Sequence, residues 1–295
     1  MTGHPGDRMP GPGPAPIRAD AGPIAGIHPA EWGSELLGTA CLILGGLSAV
    51  CLDFGRGTPL PHLLPSASWR LLLTGLLFGG TGSLIAVTPV GRRSGAHLNP
   101  CVTLAFFATG HVHRDDLLGY ALAQVGGAAA AAVLVARLWG GAARSVADGV
   151  TRPGPGTGAL AAVGIEALMT AILVATILLC VSHRRSVRWT PLAVWVVVAL
   201  LVRFGAPYTG TSLNPARSLG PALVAGQLGG LWIYWVGPPA GALAAVALFR
   251  LLGRGRRPLT AKLFHDVRYP SVLRSRLATA GGRDPGRDQI EATGR

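Results

Sequence analysis

Six stretches of this chain are long and apolar enough to cross a bilayer, and that count limits the possible folds more than any other feature. They fall at roughly 34–52, 70–90, 115–137, 160–182, 191–208 and 230–252. About 20 apolar residues cover ~30 Å of hydrocarbon. In lipid every backbone polar group must be satisfied within its own segment, so each stretch is expected to be a helix. Composition agrees. Only 13% of the 295 residues are charged and 49% are apolar, whereas a soluble domain carries about a quarter charged residues. The balance argues against a soluble globular enzyme. Cys41, Cys51, Cys101 and Cys180 lie in or beside apolar runs with no paired spacing. Neither a disulfide framework nor a zinc site is expected.

Lys and Arg number 26 against 13 acids, a formal charge of +13. Such an excess can signal nucleic-acid binding, but beside so apolar a remainder it reads as basic loops, and no nucleic-acid partner is expected. Residues 1–29 are rich in Pro and Gly and read as a disordered tail without a signal-peptide core. Residues 253–295 read as a solvated basic tail, with a short amphipathic piece at Val272–Leu277 able to touch anionic headgroups. If both termini are cytoplasmic, 19 basic residues lie inside and five outside. The positive-inside rule therefore favours a multi-pass cell-membrane protein with N and C termini in the cytoplasm.

The segment between the tails repeats. SGAHLNPCVTLA at 94–105 matches TGTSLNPARSLG at 209–220, with Asn99 and Asn214 separated by 115 positions. Tyr120 pairs with Tyr234 in the same way, and Glu35 with Glu166. The unit is span, span, short apolar piece, span, over about 30–140 and again over about 158–252. An odd number of spans inverts the second copy in the membrane. Each short piece begins at an Asn-Pro: Asn is a favoured N-cap and Pro a favoured first helical residue. About ten residues at 1.5 Å per residue cannot cross the bilayer. The predicted fold is therefore an all-α membrane protein of six transmembrane helices plus two re-entrant half-helices. Their N-termini should meet near the midplane, where positive dipole ends repel cations and the two Asn amides offer N–H donors.

At these motifs the chain resembles the major intrinsic protein family, the aquaporins and glycerol facilitators. The resemblance runs from about Trp32 to Leu252 and rests on SGAHLNPC at 94–101 and GTSLNPARSLGPA at 210–222. Glu35-Leu-Leu-Gly-Thr, Ala123-Gln124, Glu166 and Trp235-Val-Gly-Pro support it. It implies an aquaporin-like pore in each protomer, a homotetramer, and passive conduction of water or small uncharged solutes without any cofactor. It makes Asn99, Pro100, Cys101, Asn214, Pro215 and Ala216 the pore signature. It places Arg217 in the outer filter with Val202, Thr211 and either Gly79 or, after a one-residue slip, Phe78. Glu35 and Glu166 are expected to accept hydrogen bonds from the re-entrant loops, since a bare carboxylate in a span is costly.

Several positions depart from the family pattern or stay open. Cys101 stands where the family usually has Ala. It is either a packing change or a pore-facing thiol that would report on the lumen to mercurials. His97 either lines the inner vestibule or packs its loop. Arg203 either snorkels to the interface or lies in the outer vestibule. Val202 replaces the histidine of strict water channels and so widens the filter, with Thr211 supplying one hydroxyl. Ser218, Ala222, Tyr234 and Trp235 instead look like the water-selective branch, and the Tyr234–Trp235 pair is expected to pack behind the pore. The filter decides: the expected function is a channel for water and small neutral solutes (glycerol, urea, neutral metalloid hydroxides). A strict water channel is the alternative, and a secondary transporter is a further one. No nucleophile–base pair or metal spacing suggests an enzyme.

Overall fold

Apolar sequence in lipid-length blocks gives helices here and little else. The protein is described by a computed structural model covering residues 22–253 and 255–277. Its long helices are α1 (Pro29–Phe54), α2 (Ala67–Val87), α4 (Arg114–Trp139), α5 (Ala159–Val181), α6 (Thr190–Thr209) and α8 (Leu231–Leu252). Two short helices, α3 (Pro100–Ala108) and α7 (Pro215–Ala225), complete the set. All six expected spans form within a few residues of their expected limits. The largest shift is in α1, which starts at Pro29 rather than near 34, while α2 ends early, at Val87, because Pro89 starts a separate short helix, Pro89–Ser94. A residue before proline disfavours helical geometry, and Thr88 instead caps the new helix.

The repeat is visible in the packing. α1 lies against α4 as α5 lies against α8, while α2 and α6 pack on each other across the centre. Each half-helix rests on the third span of the other copy, α3 on α8 and α7 on α4. Crossings this close need glycine. A Cβ at Gly127 would sit 2.3 Å from the Leu36 carbonyl oxygen, and one at its repeat mate Gly241 would sit 1.9 Å from the Ala167 carbonyl oxygen. Small residues at crossings are how membrane helices approach without a hydrophobic driving force. The outside of the bundle is apolar: Leu84, Leu118, Leu122, Leu138, Leu160 and Leu168 are all exposed. Carboxylates, amides and hydroxyls are instead buried inside, the arrangement a bilayer solvent selects.

The segments expected to be solvated tails are not so where they are described. The Gly26 N–H donates to Asp115, His28 and Trp32 both bond Asp116 Oδ1 at 2.8 Å, and Ile24 N–H donates to the Val272 carbonyl. Residues 255–277 form a strap folded back on the end of the bundle. Leu259 N–H donates to Val181 O at 2.9 Å and Leu263 N–H to Gly95 O at 3.0 Å. Val272 and Leu277 pack against the apolar core and Leu273 is buried in it, so this piece does not lie free to touch headgroups. Apolar residues inside an arginine-rich stretch found a core face to cover. Residues 1–21, Arg254 and 278–295, the rest of both expected tails, lie outside the described residues.

Candidate functional site

The site is built from two loops that run into the bundle and stop at an Asn-Pro. Asn99 Oδ1 accepts the Cys101 N–H at 2.8 Å, and Asn214 Oδ1 accepts the Ala216 and Arg217 N–H groups at 3.0 and 3.3 Å. Each asparagine thereby caps its own half-helix. Its amide nitrogen reaches across the repeat. Asn99 Nδ2 donates to Leu213 O at 2.8 Å, and Asn214 Nδ2 donates to Leu98 O at 2.9 Å. The two helix N-termini are thus locked face to face. One hydrogen of each amide is spent on the lock and one is left for a passing oxygen.

The loops are strained in the same way. Ala96 and Leu98 have φ of 54° and 52°, and their repeat mates Thr211 and Leu213 have 49° and 59°. Left-handed backbone costs an L-residue about 1–2 kcal/mol, so something must hold it. The buried carboxylates do. Glu35 Oε1 accepts from the Ser94 hydroxyl at 2.7 Å and the His97 N–H at 3.0 Å; Oε2 accepts from Leu98 N–H at 2.7 Å and Gln124 Nε2 at 2.8 Å. Glu166 accepts from the Thr209 hydroxyl at 2.7 Å, Ser212 N–H at 2.8 Å and Leu213 N–H at 2.9 Å. A second pair does the same work from behind. Tyr120 donates its hydroxyl to Ser94 O at 2.8 Å and Tyr234 to Thr209 O at 2.7 Å. Sequence reading paired these tyrosines by repeat spacing without giving them this role. The Tyr234–Trp235 pair also divides: Tyr234 is buried at the loop, whereas Trp235 is half exposed on the outside of the bundle.

A narrow cavity, with about 100 Å³ of room for water, runs past this lock. Asn99 and Asn214 line its middle, and Val202, Thr211, Arg217, Phe78 and Gly79 line one end. Arg217 Nη1 donates to the Gly149 carbonyl at 2.8 Å, and its guanidinium lies 5.6 Å from the Phe78 ring centre. Gly149 presents that carbonyl from a tight turn at φ 79°, where a Cβ would strike Leu47 at 2.6 Å. Nothing in the sequence separates this glycine from the other 42. Thr211 donates its hydroxyl to Leu201 O at 3.3 Å, which leaves its lone pairs to accept. Gly79 and Phe78 both reach the cavity, in different ways. A Cβ at Gly79 would meet Trp195 O and Val198 Cβ, both at 3.1 Å, so Gly79 seats α2 on α6. The Phe78 ring fills the space a Cβ at Gly46 of α1 would need, its nearest atoms 2.2 Å from that position, and it lies beside Arg217.

Cys101 and His97 resolve differently from one another. Cys101 is fully buried within the apolar core, and the cavity lining does not include it. Of the two readings of Cys101, the packing change fits and the lumen-facing thiol does not: at the second position of α3 the side chain turns into the bundle. His97 lines the cavity and also packs its loop. Its ring stacks on Phe106 at 4.9 Å, Nδ1 is 3.2 Å from the Thr103 hydroxyl, and Nε2 donates to Ala261 O at 2.7 Å. Ala261 belongs to the strap, as does Leu263, which lines the cavity at the His97 end. The sequence signal was an apolar Leu-Phe inside a basic tail. Arg203 stays out of the cavity. Its guanidinium sits 4.5 Å over the Trp69 ring and bonds Ser68 O. Ser218 shares short hydroxyl contacts with Thr151 and Ser212 at 2.7 and 2.6 Å. Ala222, within α7, is buried.

The comparisons with known proteins agree with this geometry. The family model described as major intrinsic protein matches residues 31–249. Aquaporin NIP1-3 of Oryza sativa subsp. japonica is 34% identical over 227 residues, covering 77% of this chain and 74% of that protein. Aquaporin TIP4-4 of Zea mays is 38% identical over 213 residues, covering 64% of this chain and 82% of that protein. Among solved structures, the aquaglyceroporin from Plasmodium falciparum superposes with a TM-score of 0.65 at 20% identity, over 76% of this chain and 96% of that one. At that identity the superposition speaks for the fold.

Proposed function

Because this chain belongs to the major intrinsic protein family, we propose that it is a passive membrane channel. It admits water and small uncharged solutes such as glycerol, urea or arsenous acid, and turns back ions and protons. The observation that carries this is Arg217. A buried guanidinium, pinned by Gly149 O, faces a narrow cavity onto which two helix N-termini also point. Fixed positive charge and two positive dipole ends make cation entry unfavourable. A neutral solute instead meets donors from Arg217, Asn99 and Asn214 and an acceptor from Thr211. The remaining wall is largely apolar, with Val202, Val198, Val194 and Leu173, so a solute is held weakly enough to leave again.

The pore signature is Asn99, Pro100, Cys101, Asn214, Pro215 and Ala216, with Glu35 and Glu166 holding the loops and His97 at the inner vestibule. The filter is Arg217, Val202 and Thr211 with the α2 contribution. A strict water channel is the second reading, favoured by the Phe78 ring beside Arg217, which narrows what Gly79 alone would leave open. A secondary transporter is less well supported, because Arg217 is the one permanently charged side chain among the residues lining the cavity and carriers place coupling carboxylates at the midplane. The channel sits in the cell membrane with both termini cytoplasmic, supported by the arginine bias, and works as a homotetramer, as the family does.

Stopped-flow light scattering of proteoliposomes tests the proposal. Outward water gradients should shrink them faster than empty liposomes, and inward glycerol, urea and arsenous acid gradients should swell them faster. Water flux with all three solutes excluded would select the strict water channel. Saturable flux with counterflow would select the transporter.

A further inference from the structure

The residues matched by the family model end at 249, yet one side chain lining the pore cavity comes from beyond them. It is Leu263, on the first leg of the strap. Backbone bonds seat that leg on the bundle. Leu259 N–H donates to Val181 O at 2.9 Å, a carbonyl left over at the end of α5. Leu263 N–H donates to Gly95 O at 3.0 Å, and Ala261 O accepts from His97 Nε2 at 2.7 Å. Between them Lys262 is wholly buried, with Nζ on Arg92 O at 2.7 Å. The fit is close: a Cβ at Gly95, where φ is 99°, would meet Ala261 O at 3.0 Å and Leu273 Cδ1 at 3.2 Å. Leu263 is therefore held at the His97 end of the pore by its own backbone and by both chain neighbours.

The wall supplied by His97 is fixed as well. Its ring stacks on Phe106 at 4.9 Å and meets Tyr120 edge-on at 5.3 Å. Nε2 is spent on Ala261 O, and Nδ1 lies 3.2 Å from the Thr103 hydroxyl. This ring neither swings aside nor has a nitrogen left for a passing molecule. Leu263 has no polar side-chain atom at all. At the other end a solute meets the donors of Arg217; here these two side chains leave it an apolar passage that selects by diameter and by the cost of shedding water. Granted the channel proposed above, we infer that Leu263 is a second size-selecting residue of the pore, contributed by a segment outside the channel repeat. Solutes are then screened twice, at Arg217 and at the strap. A polyol, larger and more hydrated than water, is held back more by the isobutyl group than water is.

The full chain and three variants are reconstituted in proteoliposomes, and water and glycerol fluxes per inserted protein are read by stopped-flow light scattering. Leu263→Ala should raise water flux and Leu263→Phe should lower it, each by at least about threefold, since conduction follows pore diameter. Glycerol flux should change by the larger factor. Leu263→Met conserves volume and should conduct as the wild type does. Water flux that keeps its wild-type value in both the Ala and Phe variants overturns the role of Leu263. So does a change in the same direction in both, which would show that displacement of the strap, and not side-chain size, controls flow. A smaller change for glycerol than for water also overturns it. In each of these cases the channel itself stands. Water flux no faster than in empty liposomes for the wild type and all three variants removes the channel reading and Leu263 with it.

Discussion

At the scale of single residues, the site depends on where a few polar atoms point. Arg217 has its guanidinium fixed by one carbonyl and one ring, Gly149 O and Phe78. Replacing it with an isolated apolar side chain removes the fixed charge but keeps the half-helix, whose cap is Asn214. Arg217→Val should raise proton or cation leak at least about tenfold, since one fixed charge in a low-dielectric pore is worth more than ~1.4 kcal/mol. A leak assay with a pH-sensitive dye in proteoliposomes checks it, and an unchanged leak in inserted protein removes Arg217 from the filter. Cys101 makes the opposite kind of prediction. Its thiol is buried in packing, so any slowing of water flux by mercurials should be the same in the wild type and in Cys101→Ala. Loss of inhibition in the variant would return the thiol to the lumen. Glu35→Gln replaces one acceptor oxygen with a donor NH2 against the Ser94, His97, Leu98 and Gln124 donors. It should cost about 1–3 kcal/mol, the penalty of leaving a buried polar group unsatisfied, read as a lower thermal midpoint in detergent.

At the scale of elements, the spans and half-helices were legible because hydropathy reports what lipid demands, and because Asn-Pro states where a helix starts. The carboxylate supports were legible too, since Glu35 and Glu166 have no reason to sit in spans unless loop N–H groups meet them. Other parts were hidden for physical reasons. Which of Phe78 and Gly79 enters the filter depends on how α2 rotates against α6, and one residue of slip turns a helix by about 100°. Gly149 acts through a backbone carbonyl, which leaves no trace in side-chain chemistry. The strap was hidden because its charge reads as solvation, whereas Leu263 and Leu273 are the residues that dock it. Crossing glycines test the element scale directly. Gly241→Ala would push a methyl group into the Ala167 carbonyl at a site with no flexible neighbour to yield. Overpacking of this kind costs about 1–3 kcal/mol. The thermal midpoint should fall, and an unchanged midpoint would show that α5 and α8 can separate freely.

At the scale of the whole molecule, the strap couples the pore end to groups that titrate. Lys262 is wholly buried, and its Nζ donates to Arg92 O at 2.7 Å, Tyr269 O at 3.2 Å and Pro270 O at 3.4 Å. Burial pushes its pKa down to about 8, against the pull of Glu31 and Asp266 and with help from Arg93. Burial also lowers the pKa of His111, with Arg274 and Arg276 adding to it and the Pro258 and Thr109 carbonyls opposing. Both groups give up a proton more easily with the strap docked than in a free chain. A basic group with a depressed folded pKa binds fewer protons folded than unfolded, so stability rises with pH between the two values. For Lys262 that window runs from about 8 up to ~10.4. For His111 it lies below ~6.5, the unfolded imidazole value, and docking weakens as pH falls through it. Since Leu263 lines the His97 end of the cavity, a loosened strap should open that end. Water permeability of proteoliposomes should rise at least about twofold between pH ~7.5 and ~5.5, a range that brackets the imidazole reference, and conduction follows pore diameter. Amide exchange over 259–277, corrected for intrinsic rate, should quicken over the same range. His111→Gln cannot take up the proton and should flatten both responses. Equal permeability at the two pH values in the wild type, with the strap shown to exchange faster in acid, would mean that Leu263 does not limit flow.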